Sequence, residues 1–107
     1  MNELEARLAT LAAQQQTTTY GALVRDLAIP GPGAIAKLTA ALELLMEHDA
    51  AHGLPLRAVL CAGRLAQGMP AQGFFDKARA LGRFESVDAQ GFVTTERQRL
   101  FALFAAS

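Results

Sequence analysis

The chain has 107 residues, a length that supports one domain with a single hydrophobic core. Apolar residues make up 51% of it, which excludes a disordered chain, and ten Lys and Arg side chains balance ten Asp and Glu side chains. A net charge of zero removes the broad positive field that nucleic-acid-binding domains generally carry. Binding of phosphate would therefore have to come from local clustering of cations.

Cysteine content and hydropathy predict the compartment. A single cysteine excludes an internal disulfide and a cysteine-rich zinc site, and it is compatible with a reducing environment. The sequence shows no basic start followed by an apolar signal core, and no apolar run approaches the roughly 18 residues that cross a bilayer. We expect a soluble cytoplasmic protein that has no membrane partner.

The first predicted helix precedes an extended connection. Leu4, Leu8 and Leu11 recur at helical spacing, so one face of this helix is expected to pack and the other to be solvated. The helix should end near the glutamines at 14–16. The β-branched residues Thr17 to Thr19 favour an extended segment that ends in a helix cap.

Two amphipathic segments joined by a short break predict a helix-turn-helix at about residues 19–52. In the first segment, Tyr20, Leu23, Val24 and Leu27 form an apolar stripe. The sequence Pro30-Gly31-Pro32-Gly33 then stops the helix, because proline lacks an N–H and disfavours helical geometry in the residue before it. A third and longest helix follows, from Ala34 to His52.

The third helix leaves two interpretations open. We expect five of its residues to form its core face: Ile35, Leu38, Leu42, Leu45 and Met46. Its remaining surface is rich in alanine, and only Lys37 and Thr39 could reach base edges, while Glu43, Glu47 and Asp49 would repel phosphate. Either the N-terminal turn meets DNA, or the alanines pack against another helix or a second subunit.

A strand, a wing and a short helix are predicted next. Residues Arg57 to Cys61 form the best strand candidate, within a strand-and-wing segment at about 56–73 whose Gly and Pro residues are typical of a loop. A helix is expected at about 74–83, with Phe74 and Phe75 as core anchors. Residues 57–83 form a predicted positive cluster, in which only one acid, Asp76, accompanies five cations: Arg57, Arg64, Lys77, Arg79 and Arg83.

The last predicted helix covers about residues 94–106, after a turn-rich connection from Glu85 to Gly91 and a Phe92-Val93 step that either pairs briefly or pins the chain. Thr94 or Thr95 is expected to cap it, and Thr95 with Gln98 fits a capping box. Its stripe of Leu100, Leu103 and Phe104 would pack on the core, with Arg97 and Arg99 pointing outward. An exposed Phe101 beside Phe104 would instead favour a dimer contact. The predicted fold is a single winged helix-turn-helix-like domain over residues 1–107, mainly α with a small β element.

Three short segments of the sequence resemble a known family. Thr19-Tyr20-Gly21-Ala22-Leu23, Gly31-Pro32-Gly33-Ala34-Ile35 and Pro55-Leu56, followed by Leu60-Cys61, Arg64 and a glycine-rich loop, look like the winged-helix DNA-binding domain of alkylguanine-DNA alkyltransferases and alkyltransferase-like proteins. The resemblance covers roughly residues 17–75 and implies binding to duplex DNA. The chain also resembles a group of small bacterial proteins that share its Tyr-Gly-x-Leu and Gly-x-Pro-x-x-Gly-Phe-Phe patterns, a group for which the resemblance implies no activity.

Departures from the alkyltransferase pattern argue against enzymatic alkyl transfer. In that family the acceptor cysteine lies in Pro-Cys-His-Arg, whereas Cys61 follows Leu60 and precedes Ala62-Gly63. A thiol without a positive neighbour stays protonated, so we expect Cys61 to be a small core residue. The helix arginine with which the family fills the gap left by a flipped base falls at about Ala36, beside Lys37.

No metal or cofactor is expected. His48 and His52 have the four-residue spacing that can chelate a metal on a helix, but the sequence offers no His-Glu-x-x-His pattern and no third ligand, so a solvated helix end is the simpler interpretation.

Two functions remain open from the sequence. The first is a non-enzymatic winged-helix protein that binds duplex DNA, in a regulatory or alkyltransferase-like role, with Lys37 and Thr39 at the groove. In this hypothesis the phosphates are bound by Arg64, Lys77, Arg79 and Arg83. The alternative is a protein-interaction or adaptor module on the same fold, in which the alanine-rich helix or the Phe101 and Phe104 face docks a protein partner or a second copy.

Overall fold

The computed structural model describes residues 2–64 and 66–105, and within these ranges the chain is mainly α-helical with a small parallel sheet. This is the predicted fold class. The helices and strands are α1 (Asn2–Ala13), β1 (Thr18–Thr19), α2 (Tyr20–Asp26), α3 (Ala34–Ala51), β2 (Cys61–Ala62), α4 (Gln72–Ala80) and α5 (Ala89–Ala105). One 3-10 helix, Arg57–Leu60, leads directly into β2.

Thr19 caps the start of α2, as the sequence predicted. Its backbone is extended and its hydroxyl oxygen accepts a 3.1 Å hydrogen bond from the N–H of Ala22, which caps α2. Strands β1 and β2 are parallel, with Thr18 opposite Cys61 and Thr19 opposite Ala62. The first turn of α2 is therefore held beside the end of β2.

Helices α2 and α3 present the predicted apolar stripes to the core, with one exception. Leu23 and Leu38 are fully buried, as are Met46 and most of the remaining stripe of α3. Ile35 was expected in the core but is 50% exposed. It lies in the first turn of α3, ahead of the segment that the other helices cover. Phe74 and Phe75 are core residues, as predicted.

The predicted strand at residues 57–61 is wrong for four of its five residues. Residues Arg57–Leu60 form a 3-10 turn, and pairing begins only at Cys61 because β1 offers just two residues. Two carboxylates hold the turn: the N–H of Leu56 donates to Glu96 Oε2 at 2.9 Å, and the N–H of Arg57 donates to Asp49 Oδ2 at 3.0 Å. These acids satisfy backbone donors that a longer strand would have paired.

The last helix begins at Ala89, five residues before the predicted start. Asp88 precedes the first turn, and its Oδ1 accepts a 2.9 Å hydrogen bond from the N–H of Gly91. Phe92 and Val93 are therefore helical rather than part of the segment before the helix, and the cap predicted at Thr94 or Thr95 is wrong because both lie inside α5. Helix α4 begins at Gln72, two residues early. Position 106, the predicted end of the last helix, lies outside the described residues.

None of the helices described is long and apolar enough to cross a membrane.

Candidate nucleic-acid interface

A small apolar groove lies where α2, α3 and α4 meet. It has a volume of about 100 Å³, and Tyr20 from α2, Ile35 and Thr39 from α3, and Ala71 and Gly73 at the start of α4 are among its lining residues. The groove therefore joins the beginning of α2 to the N-terminal half of α3. This is the part of a helix-turn-helix that faces DNA in proteins that use the motif.

Tyr20 ties this groove to the loop that follows β2. Its hydroxyl oxygen accepts a 3.1 Å hydrogen bond from the N–H of Ala71. Burial raises the pKa of Tyr20, and the bond from Ala71 offsets only part of that effect. The phenol is thus neutral at physiological pH, and it fixes the end of the loop against α2.

Arg97 also holds this loop and does not point outward, which corrects the sequence prediction. Its Nε donates to the carbonyl of Val59 at 2.9 Å and its Nη2 to the carbonyl of Gly68 at 2.8 Å. Burial lowers the pKa of Arg97. The loop also closes on itself, because the N–H of Gly63 donates to the carbonyl of Met69 at 2.9 Å. A closed, anchored loop stands where the wing was predicted.

Cys61 is a core residue, as predicted. It is fully buried, and burial raises the pKa of its thiol from 9.0 to about 12, although the positive charge of Arg97 acts in the opposite direction. The thiol is therefore protonated at neutral pH and closed to solvent, the reverse of what a nucleophilic cysteine needs. Ala36, at the position of the family's helix arginine, is exposed on α3.

The N-terminal half of α3 carries the two residues predicted to meet the bases. Lys37 is exposed, and its ammonium donates a 3.1 Å hydrogen bond to the carbonyl of Pro30 in the preceding turn. Thr39 is half-buried in the wall of the groove. Both lie on the first turns of α3, but they are two positions apart and face different sides of the helix, so only Thr39 lines the groove beside Tyr20.

Two of the three acids of α3, Glu47 and Asp49, are paired with cations, which corrects their predicted role in repelling phosphate. Asp49 is fully buried, and its Oδ1 lies 2.7 Å from Arg57 Nη2. Glu47 Oε2 lies 2.6 Å from Lys77 Nζ. Glu43 is half-buried in the wall of the groove. The charges of Asp49 and Glu47 are therefore neutralised by cations that lie outside α3.

Ion pairs and internal hydrogen bonds neutralise or bury most of the positive cluster predicted at residues 57–83. Arg57 also reaches Glu5 at 3.2 Å, and its pKa is raised: burial alone lowers it, but Asp49 and then Glu5 outweigh that effect. Arg83 donates to the carbonyl of Leu54 at 2.9 Å and lies 3.5 Å from Glu96. Arg57 and Arg83 are thus engaged inside the protein, and Lys77 is paired with an acid. Lys77 and Arg83 therefore do not offer the free positive charge that their predicted phosphate contacts require.

Arg79 is exposed but lies apart from the α3 residues. Its guanidinium sits 4.2 Å from the centre of the Phe84 ring and donates to the carbonyl of Ser86 at 3.0 Å. The pairing of Lys77 with Glu47 shows that α4 runs beside the second half of α3. Arg79 follows Lys77 along α4, and so lies away from Lys37 at the beginning of α3.

Three exposed cations lie on segments that adjoin the groove, although none of the three lines the groove itself. Arg25 lies on α2, Lys37 on α3 and Arg64 in the anchored loop, and none of them pairs with a carboxylate among the described residues. Arg25 was not among the predicted site residues. The sequence signal that could have identified Arg25 is its position on the face of α2 opposite the apolar stripe.

His48 and His52 stack on each other at the end of α3, with ring centroids 4.2 Å apart, and both are exposed. Within residues 2–64 and 66–105, no group of three potential ligands is placed to hold a metal ion.

Comparison with known proteins adds no further information: no protein-family model, curated protein or solved structure matches this chain. The resemblance to alkyltransferase-like proteins stays an expectation that rests on the residues quoted for it.

Proposed function

We propose that this protein binds duplex DNA through its helix-turn-helix and carries out no reaction on it. The observation that carries the proposal is the charge distribution around the groove at Tyr20. Arg25, Lys37 and Arg64 come from three segments next to this groove and have no carboxylate partner in the described part of the chain. Unpaired cations around an exposed helix are suited to phosphates on both sides of a DNA groove.

Pairing elsewhere in the molecule supports this assignment. A neutral protein can bind a polyanion only if its acids are kept from the binding face. Of the three acids of α3, Asp49 and Glu47 each lie within 2.7 Å of a cation, whereas Glu43 lies in the wall of the groove. The first turns of α3 therefore present positive charge from Lys37 with no acid between residues 34 and 42.

In the proposed complex, Lys37 and Thr39 lie at the groove of the DNA, and Arg25 and Arg64 contact phosphates on either side. The small side chains of Ala36 and Ala40 let α3 approach the duplex closely. Because these residues offer no base-edge hydrogen bonds, we expect binding that depends weakly on sequence and strongly on salt.

Charge-neutralising variants test this surface. Three phosphate contacts predict a slope of about −3 for log affinity against log salt concentration, and each of Lys37→Gln and Arg64→Gln should reduce that slope by about one. Arg99→Gln is the matched control, since it removes the same charge from an exposed residue of α5 that is paired with Glu96 at 2.9 Å. Fluorescence anisotropy with a labelled duplex measures all four proteins. Equal slopes for the wild type, Lys37→Gln and Arg64→Gln would contradict the proposed surface.

The adaptor alternative has one observation in its favour. Leu44 is 66% exposed in the middle of α3, where a solvent-facing helix would carry a polar residue. An adaptor that did not bind nucleic acid would show no binding of the duplex at low salt, the result that separates it from the DNA-binding proposal.

A further inference from the structure

The groove at Tyr20 combines an apolar wall with one side chain that projects into solvent. Its lining includes Ile35, Met46 and Phe74, and Glu43 is the one charged residue among the described residues that line it. Ile35 is 50% exposed, and of the four large hydrophobic side chains exposed in the described part of the chain it alone lines this groove. The groove therefore offers apolar surface that a ligand can cover.

The size of the groove limits what it can accept. Its volume is about 100 Å³. A closed apolar cavity of about 150 Å³ holds one benzene ring, so this groove is too small for a whole nucleobase turned out of a duplex. It has room for a methyl group. On the major-groove edge of DNA, thymine is the base that presents a methyl group.

Two hydroxyl groups on the lining residues match the rest of the thymine edge. The Tyr20 hydroxyl accepts a hydrogen bond from Ala71, and neither its own proton nor that of the Thr39 hydroxyl has an acceptor among the described residues. Thymine places its O4 acceptor next to the methyl group, and the paired adenine presents an amino donor beside O4. The Glu43 carboxylate, in the wall of the same groove, is an acceptor.

The charges around the groove favour DNA as the source of the methyl group. Arg25, Lys37 and Arg64 are exposed on the adjoining segments and have no carboxylate partner in the described part of the chain. Cations in these positions are suited to the phosphates that flank a base edge. A helix about 10–12 Å across also fits the major groove, which is about 12 Å wide.

We propose that the groove at Tyr20 receives the 5-methyl group of thymine in the major groove of DNA, with Ile35 packed against that methyl group. This assignment rests on the proposed function, because it requires α3 to lie on the duplex. Burial of one methyl group corresponds to about a fourfold gain in affinity. The resulting preference for thymine is small, in keeping with binding that depends weakly on sequence.

Two labelled duplexes of the same mixed sequence test the assignment, one with thymine and one with uracil in its place. Uracil lacks only the 5-methyl group and keeps O4, so the two duplexes differ in the major groove by that group alone. Fluorescence anisotropy should show about fourfold tighter binding of the thymine duplex. The slope of log affinity against log salt concentration should be the same for both duplexes, because their phosphates are identical.

A variant of the groove locates the contact. Ile35→Ala removes the exposed apolar wall and should bring the ratio of the two affinities close to one. Leu103→Ala is the matched control, since Leu103 is 48% exposed on α5 and does not line this groove, and it should keep the fourfold ratio. Phe101 and Phe104, which the sequence predicted as a docking face on α5, are half-buried against the core and are left unchanged. Circular dichroism checks that both variants are folded.

The possible failures are distinguishable. Equal affinities for the thymine and uracil duplexes, with the expected salt dependence, would overturn the thymine assignment and leave DNA binding in place. An Ile35→Ala variant that keeps the fourfold ratio would also overturn it, because the methyl group would then be bound elsewhere. No binding of either duplex at low salt would overturn both the thymine assignment and the proposed function.

Discussion

Asp49 and Arg57 form an internal ion pair, and Asp49→Asn tests its importance. Asp49 is fully buried and accepts hydrogen bonds from the Arg57 N–H at 3.0 Å, from its Nε at 3.0 Å and from its Nη2 at 2.7 Å. Asparagine keeps the shape of the side chain but removes the charge, and it turns an NH₂ group towards a guanidinium that has no acceptor to offer. The Arg57 side chain, only 15% exposed, is then left with Glu5 as its one carboxylate partner.

The cost should be large relative to the stability of the domain. Removing one partner of a buried pair costs about 3–5 kcal/mol, against a total of about 5–15 kcal/mol for a domain of this size. Urea unfolding followed by far-UV circular dichroism measures the loss, since the chain has no tryptophan. Glu47→Gln is the control: this pair with Lys77 is half-exposed, so its loss should cost no more than about 1 kcal/mol.

A loss below about 1 kcal/mol for Asp49→Asn would refute the interpretation of Asp49 as the residue that orders the turn before β2. The same variant has a second readout. Because Asp49 is buried and paired, its neutralisation should leave the affinity for DNA unchanged wherever the protein is folded. A marked gain in affinity would instead indicate that Asp49 lies at the surface, and it would support the predicted role of Asp49 in repelling phosphate.

Three further predictions concern the elements around the groove. Thiol reagents should modify Cys61 only after unfolding. Because its pKa rises from 9.0 to about 12 on folding, only the unfolded thiol ionises between about pH 9 and pH 12, and the free energy of unfolding should fall by about 4 kcal/mol over that range. Urea unfolding of Cys61→Ala should show a smaller loss at alkaline pH. Tyr20→Phe removes the acceptor of the Ala71 N–H, so it should lower the free energy of unfolding in urea by about 1 kcal/mol and speed hydrogen exchange at that amide. Unchanged exchange would mean that the loop is held without this bond. Asp88→Ala removes the cap on Gly91 and should cost about 1 kcal/mol, and a change in thermal melting too small to measure would show that α5 does not depend on it.

Local patterns predicted helices α2 and α3 well because their determinants lie close together in sequence. The cap at Thr19 acts on Ala22, three residues away, and the stripe containing Leu23 repeats within one helix. The same kind of signal was available for α5 but was assigned to the wrong residue. Asp88 and Gly91 have the spacing of a cap and its donor, yet the glycine and the turn formers before it favoured a loop.

The candidate site was predicted less well because charge depends on distant partners. Arg57 contacts Glu5, 52 residues away, and Lys77 contacts Glu47, 30 residues away, so counting cations over residues 57–83 overstated the free positive charge. The outward prediction for Arg97 failed for a related reason. Its acceptors are backbone carbonyls at Val59 and Gly68, and no side-chain pattern reports them.

Binding of the wild-type protein to a labelled mixed-sequence DNA duplex, measured by anisotropy from low to physiological salt, tests the central claim most directly. The three exposed cations of the proposed surface, Arg25, Lys37 and Arg64, predict affinity that falls linearly on logarithmic axes with a slope of about −3. No binding at the lowest salt concentration would contradict the claim that this helix-turn-helix is a DNA-binding surface.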